Sequence, residues 1–362
     1  MVVTMVVAFC GTAQAARIFD EEFWVIDGAE LKPAARALWQ RVSGVWPWLK
    51  FVLGVILLGL LGWLVDWPGT LRILRRADMG LVLLSAGIIV AAIVVSTIKW
   101  QRLTRVVCGP LPFLPLLRAY WIGSFISNYL PSNVGGDLVR VLVLRSWAPI
   151  EQLAGSVLVE RLTGVAALAL ISALCLGIRP VEPWKLNVAL WLLVAAIVGG
   201  LALVVAAGAH LIRGGSALMA RLPSLFRKVS VKVDRFGEAV AGYRHAPGEL
   251  LVAGAWSLLF YGLLILYQFG LLRAVGSSIT LSDTALVAPL VPLVSLLPVT
   301  ANGLGLTEGA IVLFYTQMGV PPEQAFAAAL LRRLVTIGTS LPGGLFWIST
   351  GNTAGVPGES RS

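Results

Sequence analysis

Six apolar stretches, at residues 51–65, 79–98, 153–176, 188–211, 250–272 and 325–347, constrain this chain more than any other feature of its sequence. Each approaches or exceeds the ~20 residues that carry a helix across ~30 Å of hydrocarbon. Water cannot satisfy backbone N–H and C=O groups at that depth, so only helices and closed barrels can span. Barrel strands would read as short segments of alternating hydrophobicity, and no such alternation is present. The fold class expected is therefore an all-α integral membrane protein. Composition agrees: 58% of the 362 residues are hydrophobic and 13% charged, against roughly 25% charged in ordinary soluble domains.

Full spans are predicted at residues 49–66, 79–98, 152–177, 187–212, 249–275 and 324–349. Residues 112–147 and 282–318 are long enough to span but are interrupted. The first carries Pro131, Gly135 and Gly136 between Leu130 and Asp137; the second carries Pro298, Gly303 and Gly305 after Leu297. Backbone that unwinds at membrane depth needs protein or water to cover it, which predicts two re-entrant hairpins of paired half-helices and eight membrane segments in all. The two regions are related. Glu151-Gln152 and Arg161-Leu162 follow the first break, and Glu323-Gln324 and Arg333-Leu334 follow the second at an offset of 172. Three spans lie between the hairpins, so the second copy is expected to be inverted; if both hairpins cross completely, the repeat is parallel instead. Paired broken helices point to a transporter-type binding site near the midplane.

Residues 1–48 stand apart. They combine an apolar start, an Ala13-Gln14-Ala15 stretch and an acidic patch at Asp20, Glu21 and Glu22, and read either as a signal-like extension or as a mis-assigned start. Residues 49–350 form the membrane domain and residues 351–362 a disordered C-terminal tail.

The net charge of +10 suits phosphate contacts, but seven basic residues from Arg213 to Arg244 cluster in one stretch between apolar runs. That is the pattern of a cytoplasmic loop, and no nucleic-acid partner is expected. With a cytoplasmic N-terminus, a loop carrying Lys99, Arg102 and Arg105 also falls inside, whereas Arg72, Arg75 and Arg76 fall outside. The three cysteines and two histidines are scattered, which argues against a zinc site; no metal and no cofactor is expected.

Charge inside the apolar helices carries the functional reading. Asp137 and Arg140 follow the first break, Glu308 follows the second, and Glu160, Arg161, Arg332 and Arg333 lie within spans. An ionisable group at the centre of a spanning helix costs at least ~2.5 kcal/mol, so each needs a partner or a polar cavity. Either Arg161 and Arg333 meet a lipid phosphate while Asp137 and Glu308 cap half-helices, carry protons or meet a cationic headgroup, or the seven charges pair among themselves and hold the repeats together. Glu160 and Arg161 are adjacent and cannot satisfy one another on a helix. Asn128 and Asn302 sit at the breaks, placed for freed backbone groups or for a substrate.

Trp100-Gln101-Arg102-Leu103, Asn128-Tyr129-Leu130-Pro131, Gly135-Gly136-Asp137, Arg140, Glu160-Arg161, Leu297-Pro298, Gly303-Leu304-Gly305, Glu308, Gly319-Val320 and Arg333 occur in order. Over residues 50 to 350 the chain resembles the lysylphosphatidylglycerol synthase transmembrane family. The resemblance implies a domain similar to the flippase half of the multiple peptide resistance factor, which passes aminoacylated phospholipid between leaflets. It implies a lipid translocase for an anionic, aminoacylated or isoprenoid-type lipid rather than an enzyme, since the soluble aminoacyl-transferase domain is absent. Membrane lipids are the expected partners, together with a homo-oligomer or a lipid-modifying enzyme; the chain could instead act as a non-catalytic membrane partner of a lipid-modifying or glycosyl-transferring enzyme. The expected location is the bacterial inner (cytoplasmic) membrane.

Overall fold

The computed structural model describes residues 51–129, 135–178, 183–200, 237–297 and 299–353. Every regular element among them is helical, as the apolar stretches require. The elements run α1 (Phe51–Leu64), α2 (Trp67–Arg75), α3 (Met79–Cys108), α4 (Phe113–Tyr129), α5 (Gly135–Val143), α6 (Ile150–Ile178), α7 (Trp184–Gly200), α8 (Pro247–Ala274), α9 (Leu281–Val287), α10 (Leu290–Ser295), α11 (Leu306–Thr316) and α12 (Pro322–Thr353).

Their boundaries follow local chemistry. Asp78 caps α3, its carboxylate accepting from the N–H groups of Gly80 at 2.8 Å and Leu81 at 3.2 Å. Gly109, at φ +79°, follows the last residue of α3 in a conformation that a side chain would resist. Thr280 caps α9 by accepting from Asp283 N–H at 3.1 Å, and Pro247 opens α8, where a missing N–H costs nothing.

Three helices, α3, α6 and α8, are long and apolar enough to cross a membrane. Residues 49–66 were expected to form one straight span; instead α1 stops at Leu64 and the chain bends by 92° into α2, so a fourth crossing exists only if this bent pair is counted as one span. The turn falls at Asp66-Trp67-Pro68, where proline and the capping position favour a helix start over continuation. The stretch at residues 324–349 is a single helix of 32 residues with Arg332 and Arg333 inside it. For the stretch at 187–212, the described part of α7 ends at Gly200.

Both interrupted regions are broken helices, as their proline and glycine content predicts. In the first, α4 and α5 fold back on one another: a Cβ on Gly123 would lie 2.7 Å from the carbonyl oxygen of Gly136, and Ile126 and Val139 share one apolar cluster. In the second, α9 and α10 lead through a 3₁₀ turn at Ala301–Gly303 into α11, and Ser295 and Thr307 meet through their hydroxyls at 3.0 Å. Asn302, Gly303 and Gly305 all have positive φ here. Pro131 and Pro298 lie outside the described residues, as do residues 1–50 and 354–362 and all of the basic loop up to residue 236.

Small residues let these pieces approach closely, as they do between helices in lipid. The Gly305 Cα lies against the backbone of α1 at Gly54 and Leu58, and the indole N–H of Trp121 on α4 donates to the carbonyl of Thr339 on α12 at 2.9 Å. Ala325, Ala327, Ala328 and Ala329 pack α12 into the largest core cluster with Phe314, Tyr315 and Leu272. Outward, large apolar side chains such as Leu83, Leu251, Leu345 and Ile348 are exposed, the surface of a protein solvated by hydrocarbon.

Two glycines of α12 test this packing. A Cβ at Gly343 would collide with the carbonyl of Trp121, whereas nothing lies within 4 Å at Gly338. Gly343→Ala is expected to cost about 1–3 kcal/mol through overpacking and to lower the melting temperature in detergent. Gly338→Ala is expected to leave it unchanged or raise it slightly.

Candidate functional site

The half-helix α5 starts at the first break, which places Asp137 in its first turn, where a carboxylate meets unpaired N–H groups. Arg140 follows three residues later on the same face. On α6, neighbours Glu160 and Arg161 diverge around the helix, so each finds a different partner. Glu160 Oε2 lies 2.7 Å from Arg140 Nη2, and that nitrogen is 3.2 Å from Asp137 Oδ1. Arg161 donates to Asp137 through Nε at 2.8 Å and Nη2 at 2.9 Å, a parallel two-bond pair. Lys99 of α3 completes the row: its ammonium donates to the Glu160 carbonyl at 3.2 Å and to Ser257 Oγ at 3.3 Å, and lies 3.8 Å from Glu160 Oε1.

The result is an alternating line Lys99, Glu160, Arg140, Asp137, Arg161. It begins deep in the protein, where the side chains of Lys99, Arg140 and Glu160 are about 5% exposed, and ends at Arg161, which is 57% exposed. The Arg140 guanidinium lies over the rings of both Trp100 and Tyr120, 4.7 and 5.0 Å from their centroids. Trp100 is held by its N–H to Ser156 Oγ at 2.9 Å, and the Tyr120 hydroxyl donates to Glu160 Oε1 at 3.3 Å. Three cations face two carboxylates, so the network keeps one positive charge, and the cation at its open end borders a cavity of about 220 Å³ lined also by Ser124, Ser127, Asn128 and Thr336.

The second broken region repeats the theme with fewer charges. Glu308 sits in the first turn of α11; its Oε2 accepts from the N–H of Gly305 at 2.8 Å, closing the helix end. Its Oε1 takes Arg333 Nε at 2.8 Å and Nη2 at 2.6 Å, and Arg333 Nη1 reaches the carbonyl of Asn302 at 3.5 Å. In each half, then, a carboxylate in the first turn after the break holds an arginine on the following long helix.

Of the residues singled out from sequence, Asp137, Arg140, Glu160 and Arg161 form one network, and Glu308, Arg333 and Asn302 another. The ion pairs close beside each break rather than from one broken region to the other. A neutral link joins the two breaks: Asn302 Nδ2 donates to Asn128 Oδ1 at 3.3 Å. Gly303 and Gly305 serve the break through positive φ, whereas Gly136 serves close approach, its Cα lying against Ser127 and Gly123; Gly135 opens α5. Lys99 corrects the sequence reading: it is not a loop residue but a buried member of the site. It precedes Trp100 in a recognisable motif, and it shares a helix face with Ser96, three residues before it. Tyr120 and Ser257 carried no sequence signal at all, because their role depends on which helices meet.

A multi-pass helical membrane protein with an ion-pair network behind each of two broken helices is the class that fold and site define. The chain belongs to the family described as the lysylphosphatidylglycerol synthase TM region, which it matches over residues 48–343. It is 26% identical over 331 residues to a UPF0104 membrane protein of the archaeon Methanothermobacter thermautotrophicus, covering 85% of this chain and 94% of the relative. A UPF0104 membrane protein of Pyrococcus horikoshii is 22% identical, with 84% and 94% covered. No solved structure matches the chain. These relatives are archaeal, so they support a membrane location without specifying a bacterial inner membrane.

Glu160 compensates two buried cations, so Glu160→Ala is expected to cost about 3–5 kcal/mol and to be read as loss of folded protein after detergent extraction. Arg161→Ala removes only the exposed end of the line and is expected to leave the melting temperature within a few degrees of wild type.

Proposed function

We propose that the chain handles lipid at the cavity beside Arg161, as a translocase that passes an anionic, aminoacylated or isoprenoid-type lipid between leaflets. One observation carries this reading: a half-exposed arginine on a spanning helix opens into a 220 Å³ cavity and caps a network with one surplus positive charge. An uncompensated cation in hydrocarbon is costly, and a phosphate entering the cavity would supply the missing anion. Ser124, Ser127 and Asn128 offer neutral hydrogen-bonding groups beside it. Asp137 keeps Arg161 oriented, and Arg140, held over two rings, keeps Asp137 in place.

The α5 and α11 half-helices would be arms of two re-entrant hairpins, giving eight membrane segments in two inverted copies whose breaks meet at Asn128 and Asn302. Alternating access would then consist of one copy moving against the other across that neutral amide contact, with the ion pairs staying closed inside each copy. Family membership supports the reading, because the family's lipid-linked description concerns the same transmembrane region.

The test is leaflet exchange in liposomes with labelled anionic, aminoacylated and polyprenyl lipids. Wild type is expected to exchange one class, and Arg161→Ala, Arg333→Ala and Glu308→Gln to lose at least tenfold in rate while remaining folded. Wild-type rates in the arginine variants, or no exchange of any class by folded wild-type protein, would remove the assignment.

A further inference from the structure

Arg332 neighbours Arg333 but points about 100° away from it around α12. Unlike every other arginine of the site, its guanidinium has no hydrogen bond or ion pair among the described residues. It borders a separate, small cavity between α8, α10 and α12. One further group on that cavity is unsatisfied. Gln268 is only 4% exposed, yet its amide Nε2 has no hydrogen-bond partner. The remaining walls are largely apolar, from Leu264, Val291 and Pro292, and no carboxylate lines the space. Tyr267 fixes the position of Arg332 by donating its hydroxyl proton to the Arg332 carbonyl at 3.0 Å.

Arg332 and the buried Gln268 therefore line one space that holds a positive charge and no carboxylate. Buried polar groups without partners are rare in folded proteins and call for an occupant. We propose that this cavity is an anion-binding site distinct from the Arg161 cavity. Its volume of about 20 Å³ admits one small occupant, so the ligand is a monatomic anion such as chloride or a single anionic oxygen of a phospholipid headgroup. The wall between the two cavities is thin: the Tyr267 hydroxyl, on the anion side, lies 3.3 Å from that of Thr336, which lines the Arg161 cavity. The site goes beyond the translocase reading and stands without it, because it rests on different residues and its measurement involves no transport.

Thermal unfolding of purified, delipidated protein in detergent tests the proposal, with chloride exchanged for gluconate at constant ionic strength. A second series adds phosphatidylglycerol micelles without chloride. A ligand of the native state raises the melting temperature with concentration. Wild type is expected to show a saturable rise in at least one series; a rise with chloride identifies the free ion, and a rise with the lipid alone that Arg161→Gln retains identifies a headgroup oxygen at this site. Arg332→Gln is expected to lose that response and Gln268→Leu to shift its midpoint to higher ligand concentration, while Arg161→Gln keeps it. No response by wild type in either series, or an unchanged response in both Arg332→Gln and Gln268→Leu, would overturn the site. Should Arg332→Gln fail to fold, the Gln268→Leu midpoint decides alone, an unchanged value overturning the proposal.

Discussion

Everything at the centre of this protein depends on one carboxylate. Glu160 stands between Lys99 and Arg140 at a depth where none of the three reaches solvent. Two cations in so dry a place are tolerable because one anion lies within contact of both, and because Arg140 also meets Asp137 and the ring faces of Trp100 and Tyr120. The consequence is geometric. Glu160 belongs to α6, Lys99 to α3 and Arg140 to α5, so satisfying the charges fixes how three helices sit relative to one another.

Broken helices carry the same logic to the backbone. A half-helix that begins inside apolar surroundings exposes N–H groups and the positive end of its dipole. Asp137 and Glu308 each meet that end in the first turn and each then hold an arginine from the next long helix. The arginine is thereby drawn toward the break. In the first half this leaves Arg161 at the edge of a cavity; in the second, Glu308 is 3% exposed and Arg333 is more enclosed. The two halves are alike in design and unequal in access, and the larger cavity lies beside the more exposed arginine.

Much of this was legible from residues alone. Apolar runs of spanning length admit only helices, and a Pro-Asn-Gly cluster within such a run cannot continue one, so the helical class and both breaks follow from chain chemistry. The charged residues of the site were legible for a related reason: Asp137, Arg140, Glu160, Arg161, Glu308 and Arg333 are too costly in apolar sequence to be there idly. The adjacency of Glu160 and Arg161 even excluded the one pairing that proximity in sequence would suggest. Length alone was a poorer guide to the spans, since the turn at Asp66 and Pro68 bends α1 into α2 where hydrophobicity continues.

What sequence could not supply was partner choice. Whether the charges would pair across the repeats or within them depends on which helix faces which, and that is set by close contacts such as Gly123 against Gly136 and Gly343 against Trp121. Lys99 looked like the first basic residue of a loop because composition registers how far a charge lies along the chain and not what lies beside it. Sequence by itself determined that the protein is helical, that two helices break and that buried charge must be answered. Tertiary packing alone decided that Glu160 answers two cations, that Arg161 faces a cavity and that Arg332 is left without a counter-charge, because electrostatic compensation acts over a few ångströms between helices far apart in the chain.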